Sequence, residues 1–232
     1  MIANWREFWD RPHRIYVNGT HRAVHYERVA ADILAELPYD RASVLDYGCG
    51  EALQAAKVAA RCRQLFLCES APSLRVDLKA RYADMPSITV LAPEDIAALP
   101  DGALDFVVAN SVLQYLTRAE TAALAEKLLP KLAPGGRLIL ADIVPPDSSI
   151  VADVSSLLST AIANGFFVAA LVGLLQTVVS DYRRLRSQIG LTTYREDEMR
   201  ALLEKAGYAA ERRARNFGFN QRRMTFIARP AR

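Results

Sequence analysis

Cysteine is scarce in this chain. The three residues present, Cys49, Cys62 and Cys68, are odd in number and show no paired spacing. A disulfide framework and a cysteine-based zinc site are therefore excluded as organising principles, and a reducing cytoplasm is expected. The opening residues MIANWREFWDRPHR are polar and aromatic, without the basic-then-apolar order of a secretory leader. An excess of charge of either sign is also missing. Twenty-nine basic side chains face 26 acidic ones, and a net charge of +3 is too weak to imply nucleic acid as a partner. There is no internal repeat and no low-complexity tract.

One absence is local. Val154 to Ser180 runs for 27 residues without a charge or a histidine. That exceeds the roughly 18 apolar residues that flag a membrane span. Ser155, Ser156, Ser159, Thr160, Asn164, Gly165, Gln176 and Thr177 interrupt it, however, and its most apolar part, Phe166 to Leu175, is too short to cross. A span here would also separate the end of the chain from its core. The expectation is an apolar cap over a pocket, a homodimer surface, or an interfacial helix pair. Arg183, Arg184 and Arg186 follow directly, so residues 154–186 are candidates for peripheral contact with a membrane or lipid.

Before that insert, short apolar runs alternate with helical stretches. The runs are SVLDY, LFLCE, ITVL, LDFVVAN and RLILADIV. Between them stand EALQAAKVAARC, APSLRVDLKARYA and RAETAALAEKLLPKL. Near-continuous apolar strands alternating with helices predict a doubly wound α/β core with a parallel sheet covered on both faces. Apolar spacing predicts a helix over about 21–37 ahead of the core, ended by Pro38. After the core, TYREDEMRALLEKAGY reads as a helix with a Thr193/Glu196 capping box and Gly207 at its end. AAERRARNF and RRMTFIARP then read as a final antiparallel hairpin. The expected division is 1–40 aromatic helical lid, 41–145 core, 146–191 apolar insert, and 192–232 final helix and hairpin.

The stretch SVLDYGCGEALQAA, from Ser43 to Ala56, carries the chemistry. In a strand–glycine loop–helix unit the first glycine makes the turn and the second lets a ligand approach main chain; here these are Gly48 and Gly50. Glu69 follows Gly48 by 21 residues, the spacing at which a carboxylate can accept both hydroxyls of a ribose. A nucleoside-containing ligand follows, with NAD and S-adenosylmethionine (SAM) both open at this point. Asp46 favours the second, because a carboxylate two residues before Gly48 suits a cationic amino-acid group and sits badly beside a pyrophosphate. An acid after the third strand, and a helix, Pro-Gly-Gly turn and fifth strand in LLPKLAPGGRLILAD, complete an ordered set of five motifs.

That set resembles the class I SAM-dependent methyltransferases, especially the small-molecule group of the ubiquinone- and menaquinone-biosynthesis type. The likeness covers about residues 40–145 well and 192–230 moderately. It implies a seven-stranded, mostly parallel Rossmann-like sheet, an N-terminal lid over the cofactor and a helical insert after strand 5. It also implies SAM as cofactor and S-adenosylhomocysteine (SAH) as product; no metal is expected, because the His21/His25 pair has no obvious third ligand. Asp46 and the loop Gly48, Cys49, Gly50 would line the methionine portion. Glu69 would hold the ribose, with Ser70 beside the adenine. Asp95, or its neighbour Glu94, would accept from the adenine amino group, with the main chain of Ile96 completing that edge. Asn110 would offer its carbonyl to the methionine ammonium, with Ser111 adjacent. The departure is GEA, with Ala52 where the family shows a third glycine.

Candidates for a catalytic base are His25 and His21, four apart on one helix face, and Tyr26 beside them. Both histidines also have a reading as packing groups of the lid. Asp142, at the end of the fifth strand, stands where acceptors lie in open α/β sheets, either orienting a substrate or closing the strand. The acceptor is expected to be small and hydrophobic or lipid-like. The alternative is a SAM-binding regulatory or complex-forming protein without catalysis. From Ala209 onward seven arginines face one glutamate, a surplus read as the solvated face of an edge hairpin.

Overall fold

The computed structural model describes residues 5–10, 16, 18–148, 150–167, 170 and 190–231. The five apolar runs become β1 (Ala42–Tyr47), β2 (Cys62–Cys68), β3 (Ile88–Leu91), β4 (Leu104–Asn110) and β5 (Leu132–Ile143). The terminal hairpin supplies β6 (Tyr208–Arg212) and β7 (Met224–Pro230). The sheet order is β3-β2-β1-β4-β5-β7-β6, parallel from β1 to β5, with β7 antiparallel to both its neighbours. The chain steps outward from β1 to β3, then crosses back to β4. The crevice of such a sheet opens at the carboxyl ends of β1 and β4, where the direction reverses.

Seven helices accompany the sheet among the described residues: α1 (Trp5–Trp9), α2 (Gly19–Ala35), α3 (Ala55–Ala59), α4 (Pro72–Arg81), α5 (Arg118–Leu128), α6 (Ile150–Ala163) and α7 (Glu196–Lys205). Both faces of the sheet are covered, which explains the unbroken apolar run at the centre of β4: Phe106, Val107, Val108 and Ala109 are all fully buried. On one face Val44, Phe106, Val108 and Ile139 pack with Ala30 and Ile33 of α2 and with α3. On the other, Leu45, Val107, Leu138 and Leu140 pack with Leu124 and Leu128 of α5 and Met199 and Leu203 of α7. Two tyrosines buried on that second face satisfy their hydroxyls internally, Tyr194 on Thr121 Oγ1 and Tyr208 on the Ala125 carbonyl, each at 2.9 Å.

Several boundaries differ from expectation. Helix α2 starts at Gly19, because the Asn18 carboxamide oxygen accepts the His21 N–H at 2.8 Å and so caps it. Helix α3 is only five residues long and does not follow the glycine loop at once. Gly48, Gly50 and Ala52 all hold positive φ, so the loop continues to Gln54. The Pro-Gly-Gly segment lies inside β5, where the register against β4 shifts, rather than in a turn before it. At the start of α7 the Glu198 carboxylate accepts the Arg195 N–H at 2.9 Å, half of a capping box; Glu196 is already the first helical residue, so Thr193 is too far upstream to cap. Gly207, at φ 91°, does end that helix.

The described part of the insert is α6 and a turn through Phe167. Apart from Ala170, the rest of the apolar segment, with Arg183, Arg184 and Arg186, lies outside the described residues. Among the described residues no helix is long and apolar enough to cross a membrane.

Candidate functional site

The glycine loop is lashed to the neighbouring strand. The N–H groups of Gly48 and Cys49 both donate to the Cys68 carbonyl, at 2.7 and 3.2 Å. Gly48 (φ 73°) and Gly50 (φ 59°) are left-handed, a conformation glycine adopts without strain. Side chains are excluded there twice over. A Cβ on Gly48 would fall 2.4 Å from Val112 Cγ2, and one on Gly50 would fall 2.9 Å from the Tyr26 hydroxyl oxygen.

Glu69, buried just past β2, braces this loop. One carboxylate oxygen accepts the Gly50 N–H at 2.9 Å; the other accepts the Ala71 N–H at 2.9 Å and the Ser70 hydroxyl at 3.2 Å. Asp46, near the end of β1, faces α2 and borders a cavity of about 20 Å³ shared with Tyr26, Ala30, Cys49 and Ala52. That volume admits a single water. Burial, reinforced by the nearby Glu69 carboxylate, raises the Asp46 carboxyl to about 7. Burial likewise pushes the thiols of Cys49 and Cys68 far up, so neither is a nucleophile at neutral pH.

At the end of β4 stands Asn110, whose side-chain oxygen is buried with no hydrogen-bond donor among the described residues. Phe106 and Val108 belong to the α2-side cluster, so strand alternation puts Asn110 on the same face as Asp46. A buried acceptor without a donor, a carboxyl poised to ionise, and main chain stripped of side chains meet at one sheet edge. The donor-bearing, cationic end of a ligand fits that set. Asp95 lies farther out, beyond β3. It is exposed and closes its turn by accepting the Ala92 N–H at 2.8 Å, with Glu94 exposed beside it and Ile96 fully buried.

A second polar cluster joins the tips of β4, β5 and β7. Ser111 (φ 58°) and Asp142 (φ 60°) are left-handed although neither is glycine. The Ser111 hydroxyl donates to Asp142 Oδ2 at 2.7 Å, and Arg223 Nη1 donates to the same oxygen at 2.7 Å and to Gln114 Oε1 at 3.0 Å. Asn216 accepts the Asp142 N–H at 3.1 Å and donates to Asp142 Oδ1 at 3.4 Å. Burial raises the Asp142 carboxyl against the opposing pull of Arg223 and these hydrogen bonds. With both oxygens engaged, Asp142 ties the strand tips together. Gln114, Asn216 and Arg223 escaped the sequence reading because they come from two distant segments, one after β4 and one between β6 and β7, and share no local motif.

Aromatic rings of the N-terminal segment and the insert gather on α2 beside the glycine loop. Tyr16 lies 5.5 Å from His21 and 5.4 Å from His25, and His21 stacks on Phe166 of the insert at 5.2 Å. The Tyr16 and Tyr26 hydroxyls are hydrogen-bonded to each other, and the Tyr26 oxygen also accepts the Glu51 N–H at 2.9 Å. Burial, then the proximity of His21, lowers His25 to about 4, so its imidazole is neutral. Farther out, Trp5 and Trp9 of α1 pack on Tyr115 after β4, while Asp10 accepts the Ser73 N–H at 2.8 Å in the first turn of α4. The N-terminal segment therefore reaches across the crevice from one strand tip to another. Among the described residues no group of three or more His, Cys, Asp or Glu could hold a metal.

The structure thus brings Asp46, Gly48, Cys49, Gly50, Glu69 and Ser70 into one wall, with His25 and Tyr26 above it. Ser111 and Asp142 form a bonded pair beside Asn110, and Asp95 and Ile96 stand apart at the outer strand.

A parallel sheet whose order reverses beside an acidic, glycine-lined crevice is a doubly wound α/β domain of Rossmann-like type, an architecture that takes ligands at that carboxyl edge. Known proteins agree. Residues 45–140 match the methyltransferase domain family. A methyltransferase of Mycobacterium tuberculosis is 32% identical over 124 residues, 53% of this chain and 60% of that protein. A trans-aconitate 2-methyltransferase of Methylobacterium radiotolerans is 32% identical over 114 residues, 48% of this chain and 42% of that protein. The chain therefore spans less than two thirds of the length of these relatives. Among solved structures, magnesium protoporphyrin IX methyltransferase of Synechocystis with bound SAH aligns over 97% of this chain and 91% of its own, with TM-score 0.55 and 18% identity. A Haloferax volcanii methyltransferase complexed with the activator Trm112 aligns over the whole of both chains, with TM-score 0.62 and 15% identity. These structures share the fold.

Proposed function

We propose that the protein transfers a methyl group from SAM to a small acceptor bound between the β4–β5 tips and the aromatic lid. The observation that carries this reading is the Glu69 brace. A buried carboxylate at the end of β2 holds the left-handed Gly50 N–H at 2.9 Å, beside an Asp46 carboxyl that ionises near neutrality. In this reading Glu69 faces the ribose hydroxyls, and Asp46 and Asn110 face the methionine end. Asp95 and the Ile96 main chain face the adenine.

The cofactor supplies an electrophilic methyl on a cationic sulfur, which departs as a neutral thioether. The chain has to hold an acceptor lone pair in line with that bond, a positioning effect of about 7–11 kcal/mol at best, and to keep water out. The lid formed by Tyr16, His21, His25, Tyr26 and Phe166 does the excluding. His25, neutral and beside the crevice, can take a proton from a hydroxyl acceptor, and the apolar insert favours an acceptor with hydrophobic parts. The Ser111–Asp142–Arg223 cluster holds the crevice floor.

The test is binding first and turnover second. A ligand that binds only the folded chain stabilises it by RT ln(1 + [L]/Kd), about 2.7 kcal/mol at a hundredfold excess over Kd. SAH is expected to raise the melting temperature where NAD does not, and labelled methyl from SAM is expected to appear in a small-molecule fraction. Absence of any SAH effect overturns the reading.

A further inference from the structure

Two surface features that the crevice leaves unused meet on one flank of α2. His21, His25, Arg28 and Asp32 stand at i, i+4, i+7 and i+11, a single stripe of a helix. At one end His21 stacks on Phe166 of the insert. At the other, the Asp32 carboxylate accepts the Gly218 N–H at 2.7 Å from the β6–β7 connection and pairs with Arg28 at 2.9 Å. These ends are about 16 Å apart along the helix. The insert and the β6–β7 connection therefore border the same side of the lid helix, with His25 between them. Because Asn216 accepts the Asp142 N–H, that connection also reaches the β5 tip.

The connection is built to present something. Asn216, buried, donates to the carbonyls of Phe217 and Asn220 at 2.6 and 3.0 Å and accepts from the Thr225 hydroxyl at 2.7 Å. Gln221 closes the turn on the carbonyls of Asn216 and Gly218, at 3.1 and 3.0 Å. A turn held this tightly nevertheless leaves Phe219 37% exposed, with Arg215 and Arg222 exposed on either side. Arg213 pairs with Glu36 and Arg223 with Asp142, which leaves Arg215 and Arg222 as the outward cations. No acidic residue follows Glu211. Across the stripe the insert exposes Ile162 (67%) and Phe167 (39%).

We propose that this flank is a docking surface for an anionic lipid bilayer. Phe219, Phe167 and Ile162 enter the headgroup boundary, and Arg215 and Arg222 face the lipid phosphates. An RNA surface would need cations in a row along a groove; here two cations stand among three apolar side chains, the mixture an interfacial contact uses. The placement turns the His25 side of α2 toward the membrane, so that an acceptor dissolved in lipid approaches His25 without crossing water. That orientation, though not the docking itself, rests on the methyl-transfer reading.

The experiment is sedimentation of the full chain with vesicles of phosphatidylcholine alone and of equimolar phosphatidylcholine and phosphatidylglycerol, at low and high salt. The protein is expected to sediment with the anionic vesicles at low salt and to be released by high salt. Arg215→Gln and Arg222→Gln are each expected to lower partitioning about fivefold, and Phe219→Ala is expected to lower it on both sides of the salt series. SAH stabilisation should be unchanged in all three variants, since none lines the crevice. No sedimentation, equal binding to neutral vesicles, or indifference to the three substitutions overturns the proposal. So does a single-stranded RNA that displaces the protein from the vesicles. Vesicle binding without any SAH stabilisation leaves docking standing and removes the methyl-transfer reading instead.

Discussion

The hydroxyl oxygen of Tyr26 lies where a side chain on Gly50 would have to go. It accepts the Glu51 N–H at 2.9 Å, and a Cβ built on Gly50 would come within 2.9 Å of it. Helix α2 and the glycine loop are therefore fitted to each other through one atom. Arg22 with Glu51 at 3.4 Å and Lys57 with Glu27 at 2.6 Å add ion pairs along the same seam, both substantially exposed and weak.

From this follows a four-variant cycle. Gly50→Ala combines a left-handed alanine, roughly 1–2 kcal/mol, with the Tyr26 clash, and is expected to weaken SAH binding at least tenfold. Tyr26→Phe removes the acceptor of the Glu51 N–H, about 1 kcal/mol. In the double variant the clash is relieved, so the losses are expected to fall short of additivity by about 1 kcal/mol. Calorimetric SAH affinities for the four proteins check it. Strictly additive losses would show that Tyr26 does not set the loop.

Asp46 predicts a pH dependence of definite sign. Its folded value, about 7, lies above the ordinary 3.8, because burial and then Glu69 disfavour the carboxylate. Between those values the folded chain holds a proton that the unfolded chain has lost. This group's contribution to stability is complete below about 4 and disappears as pH rises through about 7. Melting temperatures of the parent, compared with Asp46→Asn, should show that decline only in the parent. SAH affinity should run the other way, rising through pH 7 as Asp46 becomes able to meet an ammonium group. A variant that keeps the parent's pH profile would remove Asp46 from the site.

How much of this was legible beforehand depended on how local each signal was. ITVL and LDFVVAN coincide with β3 and β4 because each is a short apolar-rich, β-branched run bounded by loop residues. Gly48, Gly50 and Glu69 were legible as a spacing, and the structure supplies the Gly50–Glu69 hydrogen bond that the spacing permits. The length of α3 was not legible. AAKVAA has the composition of a helix, but the left-handed turn at Ala52 (φ 42°) delays its start, and no residue type announces positive φ at an alanine. Nor was the polar cluster around Asp142, since its partners at 111, 114, 216 and 223 converge only once the sheet has formed.

His25 separates chemistry from binding. Its imidazole is lowered to about 4, first by burial and then by His21, so it is neutral throughout the range in which the protein would work. If it takes the acceptor's proton, His25→Ala should lower kcat at least a hundredfold, the lower end of general-base catalysis, with SAH affinity within about twofold of the parent. The stability sign is opposite to that of Asp46. A histidine lowered from 6.5 contributes stability above that value, and the contribution is lost as pH falls toward 4. Unchanged kcat at saturating acceptor would make His25 a packing group of the lid.

The Asp142–Arg223 pair offers the sharpest stability test. The two side chains are 16% and 13% exposed and 2.7 Å apart, and Ser111, Gln114 and Asn216 share the surrounding hydrogen bonds. Removing one partner leaves the other charge buried without compensation. Arg223→Met and Asp142→Asn are therefore each expected to destabilise the fold by about 3–5 kcal/mol, the aspartate variant toward the lower end because asparagine tolerates its left-handed backbone and keeps the Ser111 bond. Removing both should hurt much less than the sum, since no lone charge remains. Denaturant unfolding of the four proteins reads this directly. Because Ser111 follows Asn110 at the β4 tip, the single variants should also raise the KM for the acceptor more than they change SAH affinity. A loss confined to stability, with KM unmoved, would show that the cluster closes the strand ends without shaping the acceptor side.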